Sequence, residues 1–351
     1  MACGIYVLRE INRQPEVWQS CLAALDGLDL RVLAGDCSPR SHEWLFVGCG
    51  TSYYLAQAAA ASATALSGIP ARALPASEIL FSPEQSLLTR KTPVFPVLIS
   101  RSGHTSEVLK VAELLRDRKI DFLAITCDGN ELAGQTARVL RLPVVEESTV
   151  MTSSFTSMLL GLQYLAASFA GQRAFIEALH ELPAELDRLL PLYTPEIELF
   201  AQNRFEDISL LGQGPLFPIA CEAALKIMES SSSYAQYFHT LEFRHGPMSI
   251  VSGDTLVGAF LSESGYAEES AVLEEMKHLG AQTFVVANRI KPEVRGSADL
   301  AIELALAQPE LARLVVYVVW GQLLGSYLGL RKGLDPDSPR HLSRVVTLSE
   351  E

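Results

Sequence analysis

"LISRSGHTSEV" (98–108) begins apolar, turns through Ser100, Ser102 and Gly103, and runs into a helical pattern at Thr105 and Ser106. From Glu107 to Leu115, Val108, Ala112 and Leu115 fall on one face, which is helical spacing. A strand therefore hands over to a helix through a loop crowded with hydroxyls. The pattern returns 162 residues later, where "FLSESG" (260–265) answers "LISRSG" (98–103). Two more pairs keep nearly the same interval. "WLFVGCG" (44–50) answers "SLLGQG" (209–214), and "DFLAITCD" (121–128) answers "QTFVVAN" (282–288). Three landmarks at almost constant spacing describe a chain that repeats itself. In each half, apolar strands alternate with helices, which predicts an α/β fold of parallel sheets covered on both faces. Ligands in such sheets sit beyond the carboxyl ends of the strands, where all three landmark pairs lie.

Length and composition agree with two domains of ordinary size: 351 residues, 48% of them hydrophobic. A net charge of −13 repels nucleic acid and anionic lipid, so a bound phosphate must be held locally. The six cysteines form no CxxC pair, and no stretch resembles a signal peptide. The expectation is reduced thiols in the cytoplasm. In the opening "MACGI", Ala2 rather than Cys3 would be exposed after the initiator Met, which argues against Cys3 as an N-terminal nucleophile. The apolar runs 314–330 and 150–170 are interrupted by glycine, serine, threonine or glutamine, and are expected to be buried helices rather than membrane spans. The first is a candidate for a subunit interface.

The expected organisation has five parts: a helical segment over 1–30, a first domain over 31–175, a helical linker over 176–200, a second domain over 201–334, and a proline-marked strap over 335–351. Pro183, Pro191 and Pro195 predict that the region between the domains is broken into short helices.

A helix N-terminus offers free N–H groups and partial positive charge, and hydroxyls with glycines complete an anion cradle there. Two loops of the first half fit, "GCGTS" (48–52) and "SRSGHTS" (100–106), with Arg101 adding one positive charge. Serine and threonine also cap helices. Two such loops at neighbouring strand ends favour a phosphate. The second copy, "SESGYAEES" (262–270), brings Glu263, Glu268 and Glu269, with Tyr266 in place of Thr105, so only the first half is expected to take the anion. There is no GxxxxGK[ST], neither Gly-x-Gly turn has a third glycine at dinucleotide spacing, and the seven histidines show no metal-ligand pattern.

A second constellation lies in "CEAALKIMES" (221–230). Glu222, Lys226 and Glu229 form one helical stripe among apolar neighbours. A solvated ion-pair stripe is the plainer reading, but the neighbours imply burial, and buried charges need a reason. His245 follows in a Gly-Pro turn.

"GCGTS", "SRSGHTSEV", "VMTSSFTS", "EAALKIME", "RHGP" and "DPDSPRHLSRVV", in this order, resemble the double sugar-isomerase (SIS) family from about residue 7 onward. The likeness is to the isomerase half of glucosamine-6-phosphate synthase, to SIS-type glucosamine-6-phosphate deaminases and to tagatose-6-phosphate ketose/aldose isomerases. It implies two tandem SIS domains, each a flavodoxin-like three-layer sandwich. It further implies that Ser52, Ser100, Ser102 and Thr105, with Arg101 adjacent, grip the phosphate of a hexose 6-phosphate. Thr51, Thr149 and Ser343 would line the sugar. Glu229 would shuttle a proton between C1 and C2, Lys226 would hold Glu229 or the sugar oxygens, and His245 would open the ring from the partner subunit of a homodimer. Arg344 would close over the substrate from the strap. Moving a proton through an enediol needs one carboxylate, an acid/base near neutrality and fixed donors, and no metal or organic cofactor.

The synthase has lysine where this chain has Arg344, and a guanidinium does not readily form an imine. The glutaminase domain is also missing from this sequence. Both features favour deamination of an amino-sugar 6-phosphate or plain aldose/ketose isomerisation, and "EESTVMTSSFTSM" (146–158) looks most like the deaminases. A sugar-phosphate-sensing regulator is the competing class, but it has no need of Glu229, Lys226 and His245.

Overall fold

Ten strands, all paired in parallel, make two five-stranded sheets among the residues described by the computed structural model, 4–35, 37, 42–87 and 93–346. The first sheet holds β1 (Glu43–Gly48), β2 (Arg72–Pro75), β3 (Val94–Ile99), β4 (Leu123–Thr126) and β5 (Val139–Arg141), in the order β2-β1-β3-β4-β5. The second holds β6 (Asp207–Gly212), β7 (Tyr234–His239), β8 (Thr255–Leu261), β9 (Gln282–Ala287) and β10 (Leu300–Glu303), in the order β10-β9-β8-β6-β7. Counted from the first strand of each set, the two orders are the same, with the switch point of a doubly wound sheet. The three landmark pairs of the sequence are β1 with β6, β3 with β8 and β4 with β9. Cys3 and residues 347–351 lie outside the described residues.

The chain divides into two compact units. One comprises Glu16–Glu146, Ser153–His180 and Ser343–Glu351, and contains β1–β5. Its helix Ser106–Asp117 buries Val108, Val111, Ala112 and Leu115 against Leu45, Val47, Leu98 and Ala124, which is the face predicted from spacing. On the other side of the sheet, Thr51–Ser67 packs against Ser153–Ala170. The latter corresponds to the second apolar run, and it is buried from Ser153 to Ala167.

The other unit comprises Met1–Pro15, Glu147–Thr152 and Glu181–Leu342, and contains β6–β10. Its helix Glu310–Arg331 is long and apolar enough to cross a membrane, yet 89% of its most apolar stretch is buried inside the protein. It packs on Phe217–Ser231 with almost nothing between the backbones. A Cβ on Gly321 would collide with Ala223, and one on Gly329 with the Ser230 carbonyl. At Gly325 the Lys226 carbonyl oxygen would be 2.9 Å away. Glycines four residues apart line up on one face, and this stripe is what admits the neighbouring helix.

The prolines do not act as predicted. Arg173–Phe200 is one helix of 28 residues with Pro183, Pro191 and Pro195 inside it. An internal proline costs about 3 kcal/mol. Burying one leucine or phenylalanine returns about 1.5–3 kcal/mol. Leu182, Leu186, Leu189, Leu190, Ile197 and Phe200 are all buried along this helix, which outweighs three interruptions.

Candidate functional site

In the β1–β5 unit, two loops leave the carboxyl ends of the first and third strands. Gly48 ends β1, and a Cβ there would collide with the carbonyl of Ser52, four residues on. Gly212 at the end of β6 stands in the same relation to Leu216. This close strand-to-helix approach explains why both copies carry glycine there. Thr51 and Ser52 open the first helix and are buried. In the second loop, the Ser100 hydroxyl accepts the Gly103 N–H at 3.1 Å and lies 3.0 Å from the Thr105 hydroxyl. The His104 N–H donates to Ser102 Oγ at 3.2 Å.

Neither helix is capped by a side chain. Thr105 occupies the N-cap position of Ser106–Asp117 and makes no capping bond, and Gly50 is the N-cap of Thr51–Ser67. Thr105 therefore does not serve as a cap, while Ser100 and Ser102 accept N–H groups of their own loop. Gly103, at φ 68°, would bring a Cβ to 2.9 Å from Gly129 Cα, and a Cβ on Gly129 would collide with the Ser102 carbonyl. Gly129→Ala is thus expected to push the serine loop out of place and lower stability by about 1–3 kcal/mol. A thermal melt, with the amide resonances of 100–105 followed in parallel, checks it. Cys49 in the first loop is no nucleophile: burial, then the nearby Glu107, pushes its thiol up to about 11.

Arg101 is the residue whose place differs from expectation. It adds no free charge for a phosphate. It is 7% exposed, and its guanidinium bonds the Glu146 carboxylate at 3.0 Å. Glu146 also accepts the N–H and hydroxyl of Ser154, at 2.7 and 2.6 Å. Arg344 donates to the Glu146 carbonyl at 2.6 Å, its own carbonyl lies 3.4 Å from Arg101 Nη2, and the Ser106 N–H points to the Val346 carbonyl at 3.3 Å. Ser343 bonds locally, to the Val345 carbonyl at 2.7 Å. Arg101 and Glu146 thus latch the C-terminal segment onto the serine loop. Sequence reasoning missed Glu146, 45 residues from its partner.

In the β6–β10 unit, Phe217–Ser231 carries Glu222, Lys226 and Glu229 as a charged stripe on a buried helix. Lys226 pairs with Glu229 and lies 3.4 Å from Glu222. Burial alone would depress the lysine, but Glu222 and Glu229 outweigh it and hold its pKa above the ordinary value. The side chains of Glu222 and Lys226 are 0% and 1% exposed, against 19% for Glu229. One carboxylate therefore reaches solvent from a fixed ionic base, while the other is locked in. His245 ends a 3-10 turn after β7 and is exposed.

The second-copy loop is spent on itself. The Glu269 carboxylate accepts the N–H and hydroxyl of Ser262 at 2.8 and 2.5 Å. Glu263 is held by Arg313 and, at 3.0 Å, by Asn288, and the Arg313 bond lowers its pKa. Tyr266 does not replace Thr105. It is the first residue of the helix Tyr266–His278, and at an offset of 162 it stands opposite His104, with Ala267 opposite Thr105.

Thr149 belongs to the segment Glu147–Thr152 of this same unit, and its N–H donates to the Asp337 carbonyl at 3.0 Å. Glu10, a second residue that sequence reasoning missed, accepts the N–H groups of Glu147 and Ser148 and the Ser148 hydroxyl.

Among families of known proteins, the model described as the SIS domain matches residues 40–168. The chain is 29% identical over 367 residues to glutamine–fructose-6-phosphate aminotransferase [isomerizing] of Pseudomonas putida, and 30% identical to that of Chlamydia pneumoniae. Each alignment takes in 98% of this chain and 59% of the relative, so the chain spans about three fifths of these aminotransferases. Glucosamine-6-phosphate deaminase from Thermotoga maritima is 28% identical, with a TM-score of 0.79 over 98% of this chain and 100% of that one. Tagatose-6-phosphate ketose/aldose isomerase from Escherichia coli shares the fold, at 22% identity and a TM-score of 0.85 over 97% of each chain.

Proposed function

We propose, from the premise that this chain is a SIS-domain protein, that it deaminates a hexosamine 6-phosphate to a ketose 6-phosphate and ammonia. The observation that carries the reading is Glu229, a partly open carboxylate paired with a buried lysine. In this reading the hydroxyls of Ser52, Ser100, Ser102 and Thr105 take the phosphate, and Thr51, Thr149 and Ser343 line the sugar. His245, exposed on its turn, opens the ring for a site it shares with a second copy of the chain.

Glu229 takes the C2 proton of the open-chain aldehyde and returns it to C1. C1 becomes an alcohol carbon while the C2 amine becomes an imine. Water adds to the imine, and the C2–N bond breaks to leave a ketone and ammonia. Lys226 stabilises the oxyanion that develops between these steps. Arg344 already donates to the Glu146 carbonyl, and a guanidinium does not readily form an imine, so no covalent step is assigned to it. The 28% identity over the full length of a deaminase supports this reaction.

The test is ammonia release from glucosamine 6-phosphate and galactosamine 6-phosphate, with ketose phosphate measured in parallel. Equal amounts of ammonia and ketose are expected. Interconversion of glucose and fructose 6-phosphates without ammonia would make the chain an isomerase. Tight binding without either product would make it a sensor.

A further inference from the structure

We infer that Glu10 and Asp337 are positioning residues that hold segment 147–149 so that Thr149 meets the sugar, an inference that rests on the function proposed above. Residues 147–151 have no regular secondary structure of their own, so something else must fix them. Three stretches far apart in sequence do so within one compact unit. The helix Ile5–Asn12 presents Glu10, 6% exposed, whose carboxylate accepts the Glu147 N–H, the Ser148 N–H at 3.1 Å and the Ser148 hydroxyl. The same helix is capped from outside: Asp337 accepts the Val7 N–H at 2.7 Å and the Tyr6 N–H at 3.1 Å. A carboxylate at a helix N-terminus satisfies unpaired donors and meets the positive end of the dipole. The carbonyl of that same Asp337 accepts the Thr149 N–H.

The bonds close a ring that runs from the helix through Glu10 to Ser148, on to Thr149, through Asp337 and back to the helix. A second tether fixes the far end of the segment. Gln14 donates to Gln322 at 3.0 Å, and Gln322 donates to the Thr152 carbonyl at 3.2 Å. A buried carboxylate is costly, and a leucine would fill the space of Glu10 at lower cost. What leucine would not do is collect three donors from one loop and fix its direction.

The experiment uses the full chain with Glu10→Gln and, separately, Asp337→Asn. Both substitutions keep size: Asp337→Asn turns a donor toward the Tyr6 or Val7 N–H, and Glu10→Gln removes the charge that holds the Glu147 and Ser148 N–H groups and replaces the oxygen that accepts the Ser148 hydroxyl. Hydrogen exchange at the amides of 148 and 149 is expected to rise about tenfold, the equivalent of one weakened buried bond. Affinity for glucosamine 6-phosphate should fall about five- to tenfold by the same argument, while affinity for inorganic phosphate stays unchanged. Unchanged exchange overturns the inference. So does a parallel loss of sugar and phosphate binding, which would mark a general structural role. Faster exchange with unchanged sugar affinity overturns it and leaves the deaminase reading standing. A wild-type chain that ignores glucosamine 6-phosphate overturns both.

Discussion

Glu229→Gln is expected to bind glucosamine 6-phosphate and leave it unreacted. The amide keeps the shape of the side chain but takes no proton. A positioned acid/base is worth about 10²–10⁴ in rate, so kcat should fall by that much while substrate affinity barely moves. The fold should survive, because Glu229 is the partly open member of the stripe and Lys226 keeps Glu222 as a buried counter-ion. The sign of the lysine's shift supports working at neutral pH. A raised pKa gives stability that is complete below the unfolded lysine value and is lost only as pH climbs through the folded one. Steady-state ammonia release, set beside calorimetric binding, checks the prediction. A variant that releases ammonia at the wild-type rate would remove Glu229 as the base.

Glu146→Ala should be the most damaging single change in the serine-loop unit. The pair it breaks has side chains 7% and 1% exposed, and removal leaves Arg101 charged and buried. Breaking such a pair costs about 3–5 kcal/mol. The N–H and hydroxyl of Ser154 lose an acceptor as well. Arg101→Met combined with Glu146→Gln should recover most of the loss, since the charge is gone and the side-chain amide oxygen still accepts from Ser154. Denaturant midpoints of the wild type, the single variant and the double variant measure this. If the single variant were as stable as the wild type, Arg101 would be free to face a phosphate after all.

The fold was largely legible because its signals are local. A strand that ends in glycine and turns at once into a helix writes its geometry into about ten consecutive residues, and the repeat wrote it twice, as at Gly48 and Gly212. The charged stripe of Glu222, Lys226 and Glu229 was legible for the same reason, because one helix holds all three. What escaped is what the sequence separates. Glu146 pairs with Arg101 across 45 residues, Glu10 reaches Ser148 across 138, and Asp337 meets Val7 across 330. No periodicity links such partners, so Arg101 reads as a cation awaiting an anion. The prolines of Arg173–Phe200 misled for a related reason, since their local cost is visible and the buried surface that outweighs it is not.

The glycine stripe of Glu310–Arg331 also bears on how the chain can change. Where two helices meet through bare backbone, there is no compressible layer of side chains to absorb a shift. The helix that carries Glu229 is mounted stiffly, like a tool post bolted to its bed. Even one added methyl at Gly321 or Gly329 would lift the mount as a whole. Any retuning toward a different sugar therefore falls to the loops, where a substitution can move a contact without moving the carboxylate.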